Sequence, residues 1–444
     1  MLFEERADRL GRELVGEPVR MRKYTSGAPG VLCAAGGPVQ RHAARPHGAN
    51  GLARHWTLDP DIIYLNHGSY GACPRPVLAA QQALRDQLER EPAVFFNREG
   101  PLLLLAARKE LARFVNAPAS GLAFVPNVTT AINAVLRSIP LPAGAELLVT
   151  DHEYNATRNI LECAAAERGC RVVVAQVPFP IRGPEAVIEA VLASVTSRTR
   201  LAVIDHVTSQ TALVFPIAEL VRELEARGVD VLVDGAHAPG MVDVDVAAIA
   251  PAYYAANCHK WICAPKGVGF LWVREDRRRD VRPAVISHGA NAPVPPERRY
   301  DIEFLWMGTD DYTPALAVPA ALRFLADLLP GGVAALRARN RELALAGRRL
   351  VADALGAALP CPDAMIGAMA SIPVPRLPNH PPPSAMSALD LDPLHDALFG
   401  EHRIEVPVLT CPAHPGRLLR ISAQAYNAIG DYERLAAALR EMTA

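Results

Sequence analysis

Several stretches of this sequence carry side chains whose types and spacing suit chemistry better than packing. Val231–Gly240 reads Val-Leu-Val-Asp-Gly-Ala-His-Ala-Pro-Gly, so Asp234 stands directly after an apolar run, with His237 three residues on. A lone aspartate there is by default a turn residue or a helix cap; the nearby histidine turns the reading toward a site. Lys260 follows in Asn257-Cys-His-Lys-Trp261, ahead of Ala264-Pro-Lys-Gly-Val-Gly269 and another apolar run. A lysine between His and Trp, before a glycine-rich return, is poorly explained as a solvated surface charge. A partly desolvated amine loses its proton readily, which suits Schiff-base chemistry. Upstream, Pro126-Asn-Val-Thr-Thr-Ala-Ile-Asn133 leads straight into helical spacing. Hydroxyls and main-chain amides at a helix start can hold an anion, although a plain capping threonine explains the same letters. A fourth polar stretch, Asp205-His-Val-Thr-Ser209-Gln, ends the apolar run Leu201–Asp205.

The elements between these stretches fix where they lie. Glu146–Thr150, Arg171–Gln176, Leu201–Asp205, Val229–Val233 and Val268–Val273 are short Val/Leu/Ile-rich runs and read as strands. Ala156–Arg168, Gly183–Val195 and Ile217–Arg227 carry helical spacing between them, and Pro76–Glu91 and Pro101–Val115 are amphipathic helices opening on proline. Alternating strands and helices of this length imply βαβ units and a mostly parallel sheet. In such sheets ligands bind at the carboxyl ends of the strands, where Asp234 and Asp205 stand. Beyond Pro330 the texture changes. Val333–Leu355 and Asp431–Met442 read as helices, and Ile372–Ser384, with six prolines, reads as an exposed loop that cannot be a central strand. We therefore expect a loosely ordered extension over 1–55, a large α/β domain over 56–325 and a smaller α+β domain over 326–444.

An anion-holding helix start, a strand-end carboxylate and a lysine for an aldehyde, in that order, describe pyridoxal 5′-phosphate (PLP). Here the sequence resembles a known family: from Trp56 to the C-terminus it looks like a class V aminotransferase-fold enzyme, PLP fold type I, of the isopenicillin N epimerase-like branch. The resemblance is carried by Tyr64-Leu-Asn-His-Gly-Ser-Tyr-Gly71, Val233-Asp-Gly-Ala-His-Ala-Pro-Gly240, His259-Lys-Trp261 with Gly267-Val-Gly-Phe-Leu271, Gly308-Thr309 and Leu419-Arg-Ile-Ser422. It implies a mostly parallel seven-stranded sheet flanked by helices. It also implies that Lys260 bonds to PLP and shuttles the Cα proton, while Asp234 keeps the pyridine nitrogen protonated so that the ring accepts electrons. Tyr154 would lie over the cofactor face, a role that a core tyrosine would mimic in sequence. Ser209 and His237 would lie near the phenolic oxygen. Val128 through its backbone, Thr129, Asn257 and His259 would hold the phosphate. Thr309 would reach the phosphate of a neighbouring subunit, which implies a homodimer. Arg420 would grip the substrate α-carboxylate, a bidentate task for which arginine is suited, and Asn66 and His67 would line the substrate side.

The reaction stays open at this level. Epimerisation needs a second acid/base opposite Lys260, for which Tyr154, His67 and His206 are candidates. Elimination from an S-substituted cysteine or its sulfoxide needs only Lys260 and a good leaving group, and transamination needs hydrolytic release of a ketimine. Cys411, nine residues before Arg420 in Pro407-Val-Leu-Thr-Cys-Pro-Ala-His-Pro-Gly416, stands where related desulfurases carry a catalytic cysteine, but without their Gly-His-His-Cys pattern. A non-enzymatic PLP-fold regulator is the remaining class. Intact Lys260, Asp234 and Arg420 argue against it, as does the lack of a helix-turn-helix pattern in 1–55.

Composition narrows the field from outside. Lys+Arg number 46 against 47 Asp+Glu, a net charge of −1, which lacks the basic excess of a nucleic-acid groove. With half the residues hydrophobic, a large core is assured. No run of 18 apolar residues suggests a membrane span. The eight cysteines form no Cys-x-x-Cys pair, so neither a zinc set nor a disulfide framework is expected, and reduced thiols in a cytoplasmic protein are. Neither a GxGxxG nor a Walker loop follows a strand, against a nucleotide site.

Overall fold

The structure is a computed structural model that describes residues 50–377 and 391–443. Its centre is a seven-stranded sheet. In chain order the strands are β1 Ile63–Tyr64, outside that sheet, then β2 Leu122–Val125, β3 Glu146–Thr150, β4 Arg171–Ala175, β5 Thr199–Asp205, β6 Asp230–Asp234, β7 Tyr253–Asn257 and β8 Gly269–Val273. The sheet runs β2-β8-β7-β6-β5-β3-β4, parallel throughout except for β8, which is antiparallel to both neighbours. Helices α1 Arg75–Arg90, α2 Gly100–Phe114, α3 Val128–Ser138, α4 Asn155–Arg168, α5 Glu185–Ala193 and α6 Ile217–Glu225 surround or connect these strands.

Burial on both faces explains why the strands read as continuous apolar runs. Leu147, Val149, Leu201, Val203 and Leu232 pack toward α3 and α4. Their alternates Leu148, Ala202, Ile204, Val231 and Val233 pack on the opposite side with Val187 and Val191 of α5 and Leu220 and Leu224 of α6. That period-2 division decides which strand-end side chains meet. Two strands escaped the sequence pattern. β7 is Tyr-Tyr-Ala-Ala-Asn, with almost no β-branched signal, and β2 is only four residues long between Gly121 and Pro126.

The chain continues through α7 Val318–Asp327, which packs on α1 and α2, and α8 Gly332–Leu355 to a C-terminal antiparallel sheet. Its strands are β9 Met369–Val374, β11 Val408–Cys411 and β12 His414–Ser422, in the order β11-β12-β9. Between β9 and β11 come α9 Pro393–His402 and β10 Ile404–Glu405, and α10 Ile429–Thr443 ends the chain and packs on α8. Ile372–Val374, expected at the start of a loop, belong instead to β9. Pro373 is tolerated because β9 lies at the sheet edge, where one face of the ladder needs no amide; residues 378–384 of that stretch lie outside the described residues. The extension expected over 1–55 likewise lies largely outside them. Residues 53–55 form a 3₁₀ turn, and the Asn50 side chain donates to the Asn427 carbonyl at 2.9 Å, so structure begins earlier than Trp56.

One small pairing matters for the site. β1 runs parallel to β10, Ile63 opposite Ile404 and Tyr64 opposite Glu405. It ties the N-terminal segment to the C-terminal part and delivers the following turn, His67–Tyr70, beside β12. No single helix among the described residues is long and apolar enough to cross a membrane.

Candidate active site

Lys260 sits just past the end of β7, on a segment pressed from both sides by backbone. A Cβ on Gly71 would fall 2.1 Å from the His259 carbonyl, and one on Gly240 would fall 2.4 Å from the Trp261 carbonyl; both glycines have positive φ, 67° and 95°. Only glycine fits at such approaches. Behind Lys260, His67 is fully buried. Its Nδ1 lies 2.8 Å from the Tyr426 hydroxyl, its Nε2 lies 3.1 Å from the Lys260 carbonyl, and its ring meets Trp261 at 4.8 Å. His67, expected to line the substrate side, therefore backs the lysine, with both ring nitrogens engaged. Burial holds its imidazole neutral, down at about 3.

The Lys260 amine is 3.0 Å from His237 Nε2. Burial, then the nearby Arg420 cation, lower it from 10.5 to about 7, against the opposing pull of Asp234 and Asp205. His237 is pushed well below its usual range, first by burial and then by Lys260 and Arg420, and its Nδ1 is buried without a partner. Asp234 ends β6, 4% exposed, accepting from the Ala236 amide at 2.9 Å and the Thr157 hydroxyl at 3.5 Å. Burial raises its proton affinity.

An anion cradle opens at the start of α3. The Asn127 side chain caps that helix by accepting the Thr130 amide at 2.9 Å, and Asn257 at the end of β7 accepts the Val128 amide at 3.1 Å. The Thr129 amide has no acceptor among the described residues, and its side chain is exposed. His259 lies alongside, its Nδ1 3.2 Å from the Val268 carbonyl, and burial lowers its imidazole to about 4.

Arg420 comes from β12 and is 2% exposed. It donates to the Ser209 carbonyl at 2.7 Å and the Ser209 hydroxyl at 3.3 Å, and to the Ser69 hydroxyl at 2.7 Å. Ser69 in turn donates to Asn66, whose amide donates to Glu405 at 2.8 Å. Asn66 thus reaches the guanidinium through Ser69. The sequence quoted Ser69 within a motif, but only the β1–β10 pairing reveals its contact. No carboxylate lies within ion-pair distance of Arg420 among the described residues, and burial lowers even this guanidinium to about 10. A buried cation without an anion calls for one.

Other expected residues fall outside this cluster. His206 is buried with Nδ1 2.9 Å from the Tyr254 hydroxyl, and burial lowers it to about 4. Cys411 ends β11, paired across a tight hairpin with His414, and burial raises its thiol to about 11, unlike a nucleophilic thiolate. Thr309 is exposed on a loop, with no hydrogen bond to another named site residue among the described residues. Tyr154 precedes α4 at the end of β3, 48% exposed, and its phenol acts electrostatically on Arg420. His152, two residues before it, is fully buried between Thr211 and the Val177 carbonyl, which leaves Tyr154 as the ring of that turn open to the site.

The residues present fit PLP: a near-neutral buried amine, an orphaned His237 nitrogen, a buried strand-end carboxylate and a helix start with a free amide. The fold and this set define a fold type I PLP enzyme. The chain belongs to the aminotransferase class-V family, whose model matches residues 98–359. It is 38% identical over 402 residues to the isopenicillin N epimerase of Streptomyces clavuligerus, covering 87% of this chain and 96% of that protein. It is 31% identical over 402 residues to a probable chloroplastic L-cysteine desulfhydrase of Arabidopsis thaliana, covering 85% and 82%. Among solved structures it resembles a C-DES mutant with glycine covalently linked to its PLP cofactor, at TM-score 0.68 and 23% identity, covering 86% of this chain and 97% of that one.

Proposed function

We propose that the protein binds an amino acid by its carboxylate at Arg420 and inverts or activates its α-carbon, as an isopenicillin N epimerase-like enzyme. The observation that carries the reading is the buried Arg420 guanidinium, oriented by Ser69 and Ser209, lacking a carboxylate and close enough to Lys260 to depress its basicity. Bound PLP supplies an electron sink that acidifies the Cα–H of an amino acid joined to it. Lys260 would bond to it, Asp234 would face its ring nitrogen, and His237 with Ser209 would stand at its phenolic oxygen. Val128, Thr129, Asn257 and His259 would surround its phosphate. Lys260 Nζ would take the Cα proton on one side. His67 is buried with both ring nitrogens engaged, and His206 is buried on Tyr254 outside the cluster, so Tyr154 is the named candidate best placed to return a proton through its hydroxyl on the other side. A homodimer in which the exposed Thr309 completes a partner's phosphate site belongs to the same reading, as does a cytoplasmic location, which seven free cysteines among the described residues support.

Elimination of a sulfur leaving group is the second reading, favoured by the similarity to a desulfhydrase, and it needs no group opposite Lys260. The test is incubation in deuterated water with a panel of amino acids that includes S-substituted cysteines. Deuterium at Cα with inverted configuration supports epimerisation. Pyruvate, ammonia and a released thiol or sulfenate support the lyase. A keto acid with the cofactor in its amine form supports transamination. No exchange with any amino acid, while bound PLP persists, would mean that the substrate lies outside this class or that the protein is a non-catalytic PLP-fold regulator.

A further inference from the structure

Asp205 is a buried carboxyl that the reaction outlined above leaves unused. It is 5% exposed and closes β5 directly opposite Asp234 in the β5–β6 register. Val203 and Leu232, two residues before each, pack together under α3 and α4. By the period of two, both carboxyls therefore point to that same face.

The two differ in their hydrogen bonds. Asp234 accepts from the Ala236 amide and the Thr157 hydroxyl. Asp205 is reached, among the described residues, only by its own amide. The titratable groups acting on Asp205 are Asp234, Glu153 after β3 and Lys260 after β7; besides Asp205, Lys260 acts on Asp234, whose charge also reaches Tyr254 of β7 on the opposite face. Burial, then the Asp234 charge, drives Asp205 well above the carboxylate range, whereas its hydrogen bonds draw Asp234 back down. Two carboxyls in one buried site do not both ionise; they titrate as a pair, with one proton held far into the neutral range.

We propose that Asp205 and Asp234 form one unit carrying a single proton, held on Asp205, so that the pair offers one negative charge to the pyridine nitrogen of PLP. This rests on Asp234 facing that nitrogen. Asp205 is then a positioning residue. As a neutral acid it fills the place beside Asp234 without adding a second charge that only one pyridinium would have to balance.

The test is infrared spectroscopy of the PLP-loaded protein with aspartate side chains labelled with carbon-13. At neutral pH we expect a protonated-carboxyl C=O band that moves with the label and is lost in Asp205→Asn. A band from Glu153, which burial raises to about 8, stays unshifted. Asn mimics the protonated acid, so the visible spectrum of Asp205→Asn at neutral pH should match wild type, while the alkaline shift caused by ionisation of Asp205 disappears. A wild-type protein with no label-sensitive band overturns the proposal, and that measurement needs no variant to fold. So does a band that survives Asp205→Asn but vanishes in Asp234→Asn, or a neutral-pH spectrum that Asp205→Asn alters as Asp234→Asn does. If Asp234→Asn leaves the PLP spectrum untouched, the pyridine assignment itself fails, a result separate from where the proton sits.

Discussion

The amine of Lys260 should capture PLP far faster at neutral pH than an ordinary lysine, and the pH profile of that capture is open to direct measurement. Only the neutral amine attacks an aldehyde. With burial and Arg420 lowering Lys260 to about 7, roughly half the population is neutral at pH 7, against about 3 in 10,000 for an amine at 10.5. The advantage is on the order of 10³. PLP-free protein would be mixed with PLP at pH 5.5 to 9.5, trapped with borohydride and digested, with the modified Lys260 peptide counted by mass spectrometry. The initial rate should rise with pH and level off above about 8, with its midpoint near 7. The same shift has a stability consequence of fixed sign. Between about 7 and 10.5 the unfolded chain holds a proton on this lysine that the folded chain lacks, so stability rises with pH across that window. Lys260→Met should remove that part of the slope and be the more stable form below pH 7. A capture rate still climbing tenfold per pH unit at 9.5 would refute the reasoning, because it would show a lysine of ordinary basicity.

Three further outcomes follow from the geometry. Asp234→Asn should retain PLP, held by the remaining residues, but lose most turnover, since an amide does not keep the ring nitrogen protonated; near wild-type rates would make Asp234 structural. Arg420→Ala removes the charged partner of a buried carboxylate, a change costing roughly 2–5 kcal/mol, so spectral titration with amino acid should need at least about 30-fold more ligand. An unchanged titration would move the carboxylate site elsewhere, with the exposed Arg98 next in line. Gly71→Ala places a methyl into the His259 carbonyl at a positive φ and should cost more than about 1 kcal/mol, read as a lower melting temperature and faster loss of PLP.

Much of this site was legible because chemistry at a strand end leaves local marks. Asp234 and His237, then Lys260 between His259 and Trp261, lie within one βαβ neighbourhood, and the apolar runs around them match β5, β6 and β8 to within a few residues. What was illegible depends on long-range pairing. Nothing near Ser69 announces Arg420, 351 residues away, until β1 lies beside β10. The surroundings of His67 were illegible for a related reason. Its motif marks it as close to the lysine, but side of approach is decided by Tyr426 and Trp261, which no spacing reports. β7 was missed because alanines fill a strand buried on both faces as well as valines do when neighbouring helices pack close, and β-propensity mostly records how a side chain fills its surroundings.

Lys260 and Arg420 are two cations in one buried cleft, and only one can yield. The guanidinium is lowered to about 10 and keeps its proton at neutral pH, so the amine gives way. A carboxylate bound at Arg420 cancels part of that field, and Lys260 must then hold its own proton more tightly. Binding of the substrate's carboxylate and the basicity of the group that takes its Cα proton are therefore linked. A stronger base forms when a carboxylate is in place and not before. The coupling can be isolated with propionate, which has the carboxylate but no amine. In PLP-free protein, saturating propionate should move the midpoint of the capture profile upward from about 7, and in Arg420→Met the midpoint should stand higher and no longer respond to propionate. An upward shift in wild type that persists in Arg420→Met would place the anion elsewhere. No shift in wild type would mean that the two cations do not sense each other.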